Sequence, residues 1–196
     1  MLKPPTHLLY LHGFRSSPQS AKARRLAACM HEHHPELTWW CPQLPPSPAT
    51  AIAQVEQGIA AWPHERMAVI GSSLGGFYAT VLAERLSCPA VLLNPAVDPA
   101  RDLAGHIGET TAWHSDEHFF FDASFIGELS AMRPVALTRL DRYFAVIARG
   151  DEVLDWREMS ARYAGCRIEL LAGGDHALSD FDTHLPAILH FLQLEP

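Results

Sequence analysis

The chain has 196 residues, the size of one domain or of one domain with a small appendage. Hydrophobic residues at 48% and charged residues at 19% supply enough apolar material for a packed core and exclude a disordered chain. A net charge of −7 argues against nucleic-acid binding through the overall field, and apolar runs as short as Met67 to Gly71 and Ala90 to Leu93 argue against a membrane span.

The N-terminus enters an apolar strand almost at once, without the apolar region and cleavage site of a signal peptide. A strand is expected over His7–Leu11, then a helix over Pro18–His33 with Ser17 as N-cap and Pro18 in its first position. A second strand, Leu37–Cys41, runs into the proline-rich Cys41–Pro48, which can hold neither a helix nor a sheet ladder and reads as a loop. In Thr50–Ala61 the spacing of Ile52, Val55 and Ile59 predicts a helix. The apolar runs Met67–Gly71, Pro89–Leu93, Tyr143–Ala148 and Arg167–Leu171 read as buried parallel strands, with helices over Gly76–Leu86, Asp155–Ala164 and Asp182–Leu192. This alternation predicts an α/β fold, a parallel sheet of about six strands with helices on both faces. Cys29, Cys41, Cys88 and Cys166 lack CxxC spacing and suit buried thiols of a reducing compartment, so a soluble cytoplasmic protein is expected.

One stretch breaks the rhythm. Between Asn94 and Tyr143 no clear strand is visible, and the length exceeds an ordinary helical crossover. The segment from Asp98 to Leu140 is expected to form a small cap whose Trp113, Phe119 and Phe120 line an acyl pocket; the alternative is that these rings only fill the main core.

Chemistry concentrates in Gly71-Ser72-Ser73-Leu74-Gly75-Gly76, a G-x-S-x-G pattern centred on Ser73. It follows an apolar run and precedes a helical one, the strand–turn–helix context of a nucleophile elbow. Ser73, with glycine two residues away on either side, is the candidate nucleophile, and Ser72 is expected to bond locally. Of the 12 histidines, His176 in Gly173-Gly-Asp-His176 lies just past a strand end, where open α/β sheets place reactive groups. It is the candidate base. Asp151, past the strand Tyr143–Ala148, is the candidate acid that orients it. The rival Asp155 stands at capping-box spacing from Glu158, and Asp175 is too close to His176 in sequence to turn towards it. The N–H groups of Phe14 and Leu74 are candidate oxyanion donors, and His12 is expected to be a structural hydrogen-bonder.

Two other clusters point elsewhere. His31-Glu32-His33-His34 lacks H-E-x-x-H spacing and reads as a polar helix end, so no metal is expected. Arg15, Lys22, Arg24 and Arg25 form either a solvated helix face or a rim for a phosphate-bearing substrate such as an acyl-CoA.

Taken together, Leu11-His-Gly-Phe-Arg-Ser-Ser-Pro18 with Ser20-Ala-Lys22, Gly71-Ser-Ser-Leu-Gly-Gly76, Asn94-Pro-Ala96, Gly150-Asp-Glu-Val-Leu-Asp155 and Gly173-Gly-Asp-His176 resemble the small bacterial YqiA-like esterases of the α/β-hydrolase superfamily. The blocks run along nearly the whole chain. The resemblance implies an α/β-hydrolase fold, a Ser73–Asp151–His176 triad, and hydrolysis of short acyl esters or thioesters without metal or organic cofactor. The expected partner is therefore a small-molecule acyl ester or thioester. Rival readings are an acyl-CoA thioesterase with the same triad and a non-catalytic binding protein of the same fold.

Overall fold

In the computed structural model, which describes residues 3–111 and 118–195, eight strands and seven α-helices alternate along the chain. They are β1 (His7–Leu11), α1 (Ala21–His33), β2 (Thr38–Trp40), α2 (Pro48–Gly58), β3 (Met67–Ser72), α3 (Leu74–Leu86) and β4 (Ala90–Leu93). After these come α4 (Pro99–Asp102), β5 (Gly108–Thr111), β6 (His118–Phe121), α5 (Ser124–Met132), β7 (Tyr143–Ala148), α6 (Trp156–Arg162), β8 (Arg167–Leu171) and α7 (Phe181–Leu192). Six strands form one parallel sheet in the order β2-β1-β3-β4-β7-β8, and β5 and β6 pair antiparallel outside it. No helix among the described residues is long and apolar enough to cross a membrane.

The period-two geometry of a strand explains why the central strands read as unbroken apolar runs. Leu9, Val69, Leu92 and Ala145 face one core, beneath α2, α3, α5 and α6, while Leu8, Ile70, Val91 and Val146 face another, beneath α1 and α7. Both faces are covered, so every position must be apolar. The expectation of burial fails at the edge: β8 has one neighbour and leaves Arg167 and Leu170 exposed.

Two sequence expectations need correcting. Helix α1 starts at Ala21, with Ser20 as its N-cap residue, not at Pro18 after Ser17. Ser17 instead closes a turn, its Oγ accepting from Gln19 N–H at 3.1 Å and its carbonyl from Ser20 N–H at 3.1 Å. A local side-chain bond of this kind competes with helix initiation. The long stretch after β4 does contain strands: β5 and β6 form a hairpin, invisible by pattern because a two-stranded ribbon outside the sheet need not alternate in polarity.

After β1 the chain moves outward to β2 and then returns to the other side of β1 to form β3. Loops leaving β1 and β3 therefore diverge, opening a crevice at the C-terminal edge of the sheet.

Candidate active site

At that crevice Ser73 joins β3 to α3 with φ 56° and ψ −120°. This is a backbone conformation that L-residues rarely adopt, held only where surrounding structure over-determines it. Four backbone bonds hold it here. Ser73 N–H donates to Leu93 O at 3.0 Å, and its carbonyl accepts from Gly76, Ala96 and Phe77 N–H at 2.9, 3.0 and 3.3 Å. The turn is so tight that a Cβ on Gly71 would lie 2.1 Å from the Gly75 carbonyl oxygen, which is why the pattern needs glycine there. Ser72, the other serine of the motif, ends β3 and is buried.

His176 stands over Ser73. Ser73 Oγ–H donates to His176 Nε2 at 3.0 Å, and His176 Nδ1–H donates to Asp151 Oδ2 at 2.7 Å. The Asp151 side chain has no exposure, and its other oxygen accepts from Val153 and Leu154 N–H, both at 2.8 Å. A buried carboxylate bonded this fully is fixed in position and holds the imidazole in the tautomer that leaves Nε2 free to accept a proton. Asp155 does something else: it caps α6, accepting from Arg157 N–H at 2.9 Å. Its capping-box partner is absent, because Glu158 turns to Arg101 in a two-pronged pair at 2.9 and 2.6 Å. Asp175 accepts from Ser179 N–H at 2.9 Å and Oγ–H at 2.6 Å, bonds that hold its carboxyl below the usual range.

Asn94 is a residue of this site that sequence reasoning left without a role. Fully buried after β4, it donates from Nδ2 to the carbonyls of Asp175 and His176 at 3.0 and 3.2 Å. Its Oδ1 accepts from Ala148 N–H at 2.8 Å. One amide thus ties the loops carrying His176 and Asp151 to the strand beside Ser73. The available signal was a polar residue directly after an apolar strand. Glu152 adds a second clamp, accepting from His176 N–H at 3.0 Å.

Gly13 approaches from the β1 loop so closely that a Cβ there would meet Ser73 Cβ at 3.2 Å. Among the described residues, neither Phe14 N–H nor Leu74 N–H donates to any acceptor. Unpaired N–H groups flanking a serine can receive an oxyanion. His12 lies apart from this chemistry. It accepts at Nε2 from Leu44 N–H at 3.1 Å and donates from Nδ1 to Gly13 O at 3.0 Å, while burial pushes its pKa down. It fastens the β1 loop to the proline-rich loop, as expected.

Ser73 and His176 open onto a cavity of about 990 Å³. Of the residues expected to line it, Trp113 lies outside the described residues. Phe119 and Phe120 are not in its wall. Phe119 packs edge-on against Phe14 with ring centres 6.0 Å apart, and Phe120 is 58% exposed. Adjacent residues of a strand point to opposite sides, so Phe119 and Phe120 cannot share one pocket. The segment reaches the cavity instead through Pro99, Leu103 and His106, with Phe14, Leu74 and Ala96 completing the apolar wall. Of the basic group, Arg15, Lys22 and Arg25 line the cavity and Arg24 does not. The His31–His34 run is not part of it either, and no cluster able to hold a metal occurs among the described residues.

Comparison with solved structures places this architecture among α/β hydrolases. A candidate hydrolase from Agrobacterium vitis S4 superimposes with a TM-score of 0.75 at 16% identity, covering 97% of this chain and 91% of that one. One of the metagenome-derived lipolytic enzymes LipS and LipT gives 0.71 at 19% identity, covering 96% and 94%. The α/β-hydrolase domain-containing protein 10 from mouse gives 0.69 at 15% identity, covering 94% and 87%. At these identities the likeness establishes the fold. Residues 7–193 match the model of an uncharacterised protein family, UPF0227, and the chain belongs to that YqiA-like family.

Proposed function

We propose that the protein is a serine hydrolase that cleaves carboxylic esters of short to medium acyl chains through an acyl-enzyme. The observation that carries this reading is the unbroken relay from Ser73 Oγ to His176 Nε2 at 3.0 Å and from His176 Nδ1 to Asp151 Oδ2 at 2.7 Å. In this reading Ser73 Oγ attacks the acyl carbonyl while His176 Nε2 takes its proton. The oxyanion forms against the N–H groups of Phe14 and Leu74, with the N-terminal end of α3 adding a favourable dipole. Collapse breaks the bond to the leaving oxygen, which receives the proton from His176. Water then enters, gives a proton to His176, and attacks the acyl carbon; expulsion of Ser73 Oγ, reprotonated by the imidazole, frees the acid.

The apolar wall of Phe14, Leu74, Ala96, Pro99 and Leu103 suits an acyl chain, and the segment from Asp98 to Leu140 serves as its cap. The capping role rests on Pro99, Leu103 and His106, with Phe119 backing Phe14 from outside. A fluorophosphonate probe tests the nucleophile: the Ser73 peptide should be labelled and p-nitrophenyl butyrate hydrolysed, and Ser73→Ala should abolish both. Labelling that persists in Ser73→Ala would remove the nucleophile from this site. A well-folded wild type that neither labels nor hydrolyses would point to a binding protein on a hydrolase fold.

A further inference from the structure

The cavity has two chemically different ends. One is the apolar wall described above. The other lies beside Ala177, Leu178 and Ser179, the residues that follow His176, and faces the start of α1 with Ser20 and Lys22. A leaving group must sit within reach of His176 Nε2 to collect its proton, which assigns this second end to the alcohol half of an ester.

Most charged groups at this end have a close hydrogen-bond partner within the protein. Arg25 pairs with Asp182 at 2.5 Å, Asp175 is occupied by Ser179, and Glu152 holds His176 N–H. Arg15 donates to Thr111 O. Lys22 Nζ donates to the carbonyl of Ala177, and no carboxylate stands within 4.0 Å of it among the described residues. Ser20, whose hydroxyl lies against the buried Tyr10, lines the same end. A half-buried ammonium held directly only by a carbonyl, with the charge of Asp175 further off, leaves a place for a closer anion, since buried charge is ordinarily matched by an opposite charge.

We infer that Lys22 binds a compact anion, a carboxylate or a phosphate, carried on the leaving-alcohol half of the substrate a few bonds from the scissile oxygen. This inference rests on the hydrolase reading and narrows it. The lysine contacts the residue next to His176, so the anion must lie close to the scissile bond, not at the end of a long carrier. Burial also holds the Lys22 pKa below its usual value, partly offset by the charge of Asp175, which is the condition an incoming anion would relieve.

The test uses three butyrate esters with matched alcohols: 3-(butyryloxy)propanoate, 2-(butyryloxy)ethyl phosphate and the neutral methyl 3-(butyryloxy)propanoate. In wild type, kcat/KM for one anionic ester should exceed that for the neutral ester by roughly ten- to a hundredfold, as for a charge-assisted hydrogen bond. The anion with the larger ratio identifies the group. Lys22→Met, which keeps the apolar stem, should collapse the ratio towards one, and Lys22→Arg should restore much of it. If Lys22→Met does not fold, Lys22→Gln and the wild-type ratio decide. Equal turnover of charged and neutral esters in wild type, or a preference that survives removal of the charge, overturns the inference while leaving the hydrolase reading intact. No turnover of any of the three with Ser73 still labelled by fluorophosphonate also sinks the anion site alone. Absence of both turnover and labelling sinks the hydrolase reading.

Discussion

The C-terminal edge of the sheet and the segment between β4 and β7 are held by different means. At the edge, Ser73, Asn94, Asp151 and His176 come from four loops, and each is bonded to at least one of the others or to its backbone. Even the loop ends are tied, with Arg149 N–H on Leu171 O at 3.2 Å and Gly150 N–H on Gly173 O at 3.4 Å. The inserted segment is anchored by a few buried side chains, chiefly Phe121 and Leu129, and by polar pegs at its margins. Glu128 accepts from Ser47 Oγ–H and Ala49 N–H at 2.9 Å each, Arg133 pairs with Asp98 at 3.2 Å, and Thr138 donates to Glu84. Phe120 and Val135 remain 58% and 98% exposed. A reaction needs positions fixed to fractions of an ångström, which dense bonding supplies. A wall that only excludes water and fits a chain can rest on fewer contacts.

This contrast can be broken most severely at the acid. Asp151→Asn should lower kcat by about three to four orders of magnitude at near-wild-type stability, because the imidazole loses the partner that sets its tautomer. Asp155→Ala should spare kcat and cost about 1 kcal/mol of stability, the worth of a helix cap. Steady-state kinetics and denaturant melts of the two variants check the assignment, and the reverse pattern would make Asp155 the acid.

Within the insertion the expected loss is in stability. Phe121 is 1% exposed and packs on Phe14 and Phe125 with ring centres 5.3 Å away in each case. Phe121→Ala should therefore cost ~3–5 kcal/mol, whereas the same change at Phe120 should stay within about 0.5 kcal/mol. Phe119→Ala should act through Phe14 and shift the preferred acyl length. Thermal melts and an acyl-length series on the three variants resolve these roles; an unchanged profile in all three would end the capping role of the hairpin.

Asn94→Ala sits between the two behaviours. It removes the partner of Ala148 N–H and of the His176 carbonyl, while the Asp175 carbonyl keeps Leu178 N–H, at a cost of about 1–3 kcal/mol, and loosens the His176 loop. A fall in kcat larger than the fall in stability explains is expected; stability loss with full kcat would reduce Asn94 to a packing residue.

The smallest effect concerns acid. Burial alone would raise the pKa of Glu84, but hydrogen bonds from Tyr143 and Thr138 and the charge of Arg142 hold it below its ordinary value of 4.5. A depressed carboxylate contributes stability above its unfolded pKa and loses it as pH falls through the folded one. Glu84→Gln should thus lower stability near neutrality and flatten the stability-against-pH curve below about pH 4.5. An unchanged acid limb, followed by denaturant melts, would show that Glu84 does not hold the end of the insertion to α3.

Much of the molecule is legible from the chain alone, for reasons that are local. The central strands announce themselves because both faces are buried, leaving no polar position to interrupt the run. The elbow at Ser73 is readable because a tight turn admits only glycine at its neighbours, and a steric rule of that kind is written directly in residue types. Asp151 could be preferred over Asp155 and Asp175 because each rival already had a local use: cap, or neighbour of the base. Other features depended on residues far apart in the chain. The exposure of β8 follows from its place at the sheet edge and the hairpin from pairing between two short polar and aromatic strands, whereas the start of α1 turns on a local competition within the Ser17 turn. Asn94 acquires its role only when loops 54 and 81 residues further on are brought to its amide. Phe119 and Phe120 are neighbours in sequence and so suggest one pocket wall, but strand geometry sends them to opposite sides, and what then faces the cavity is decided by tertiary packing. Sequence dictates what a residue can do where its constraint is local; which groups share a cavity follows from how distant segments meet.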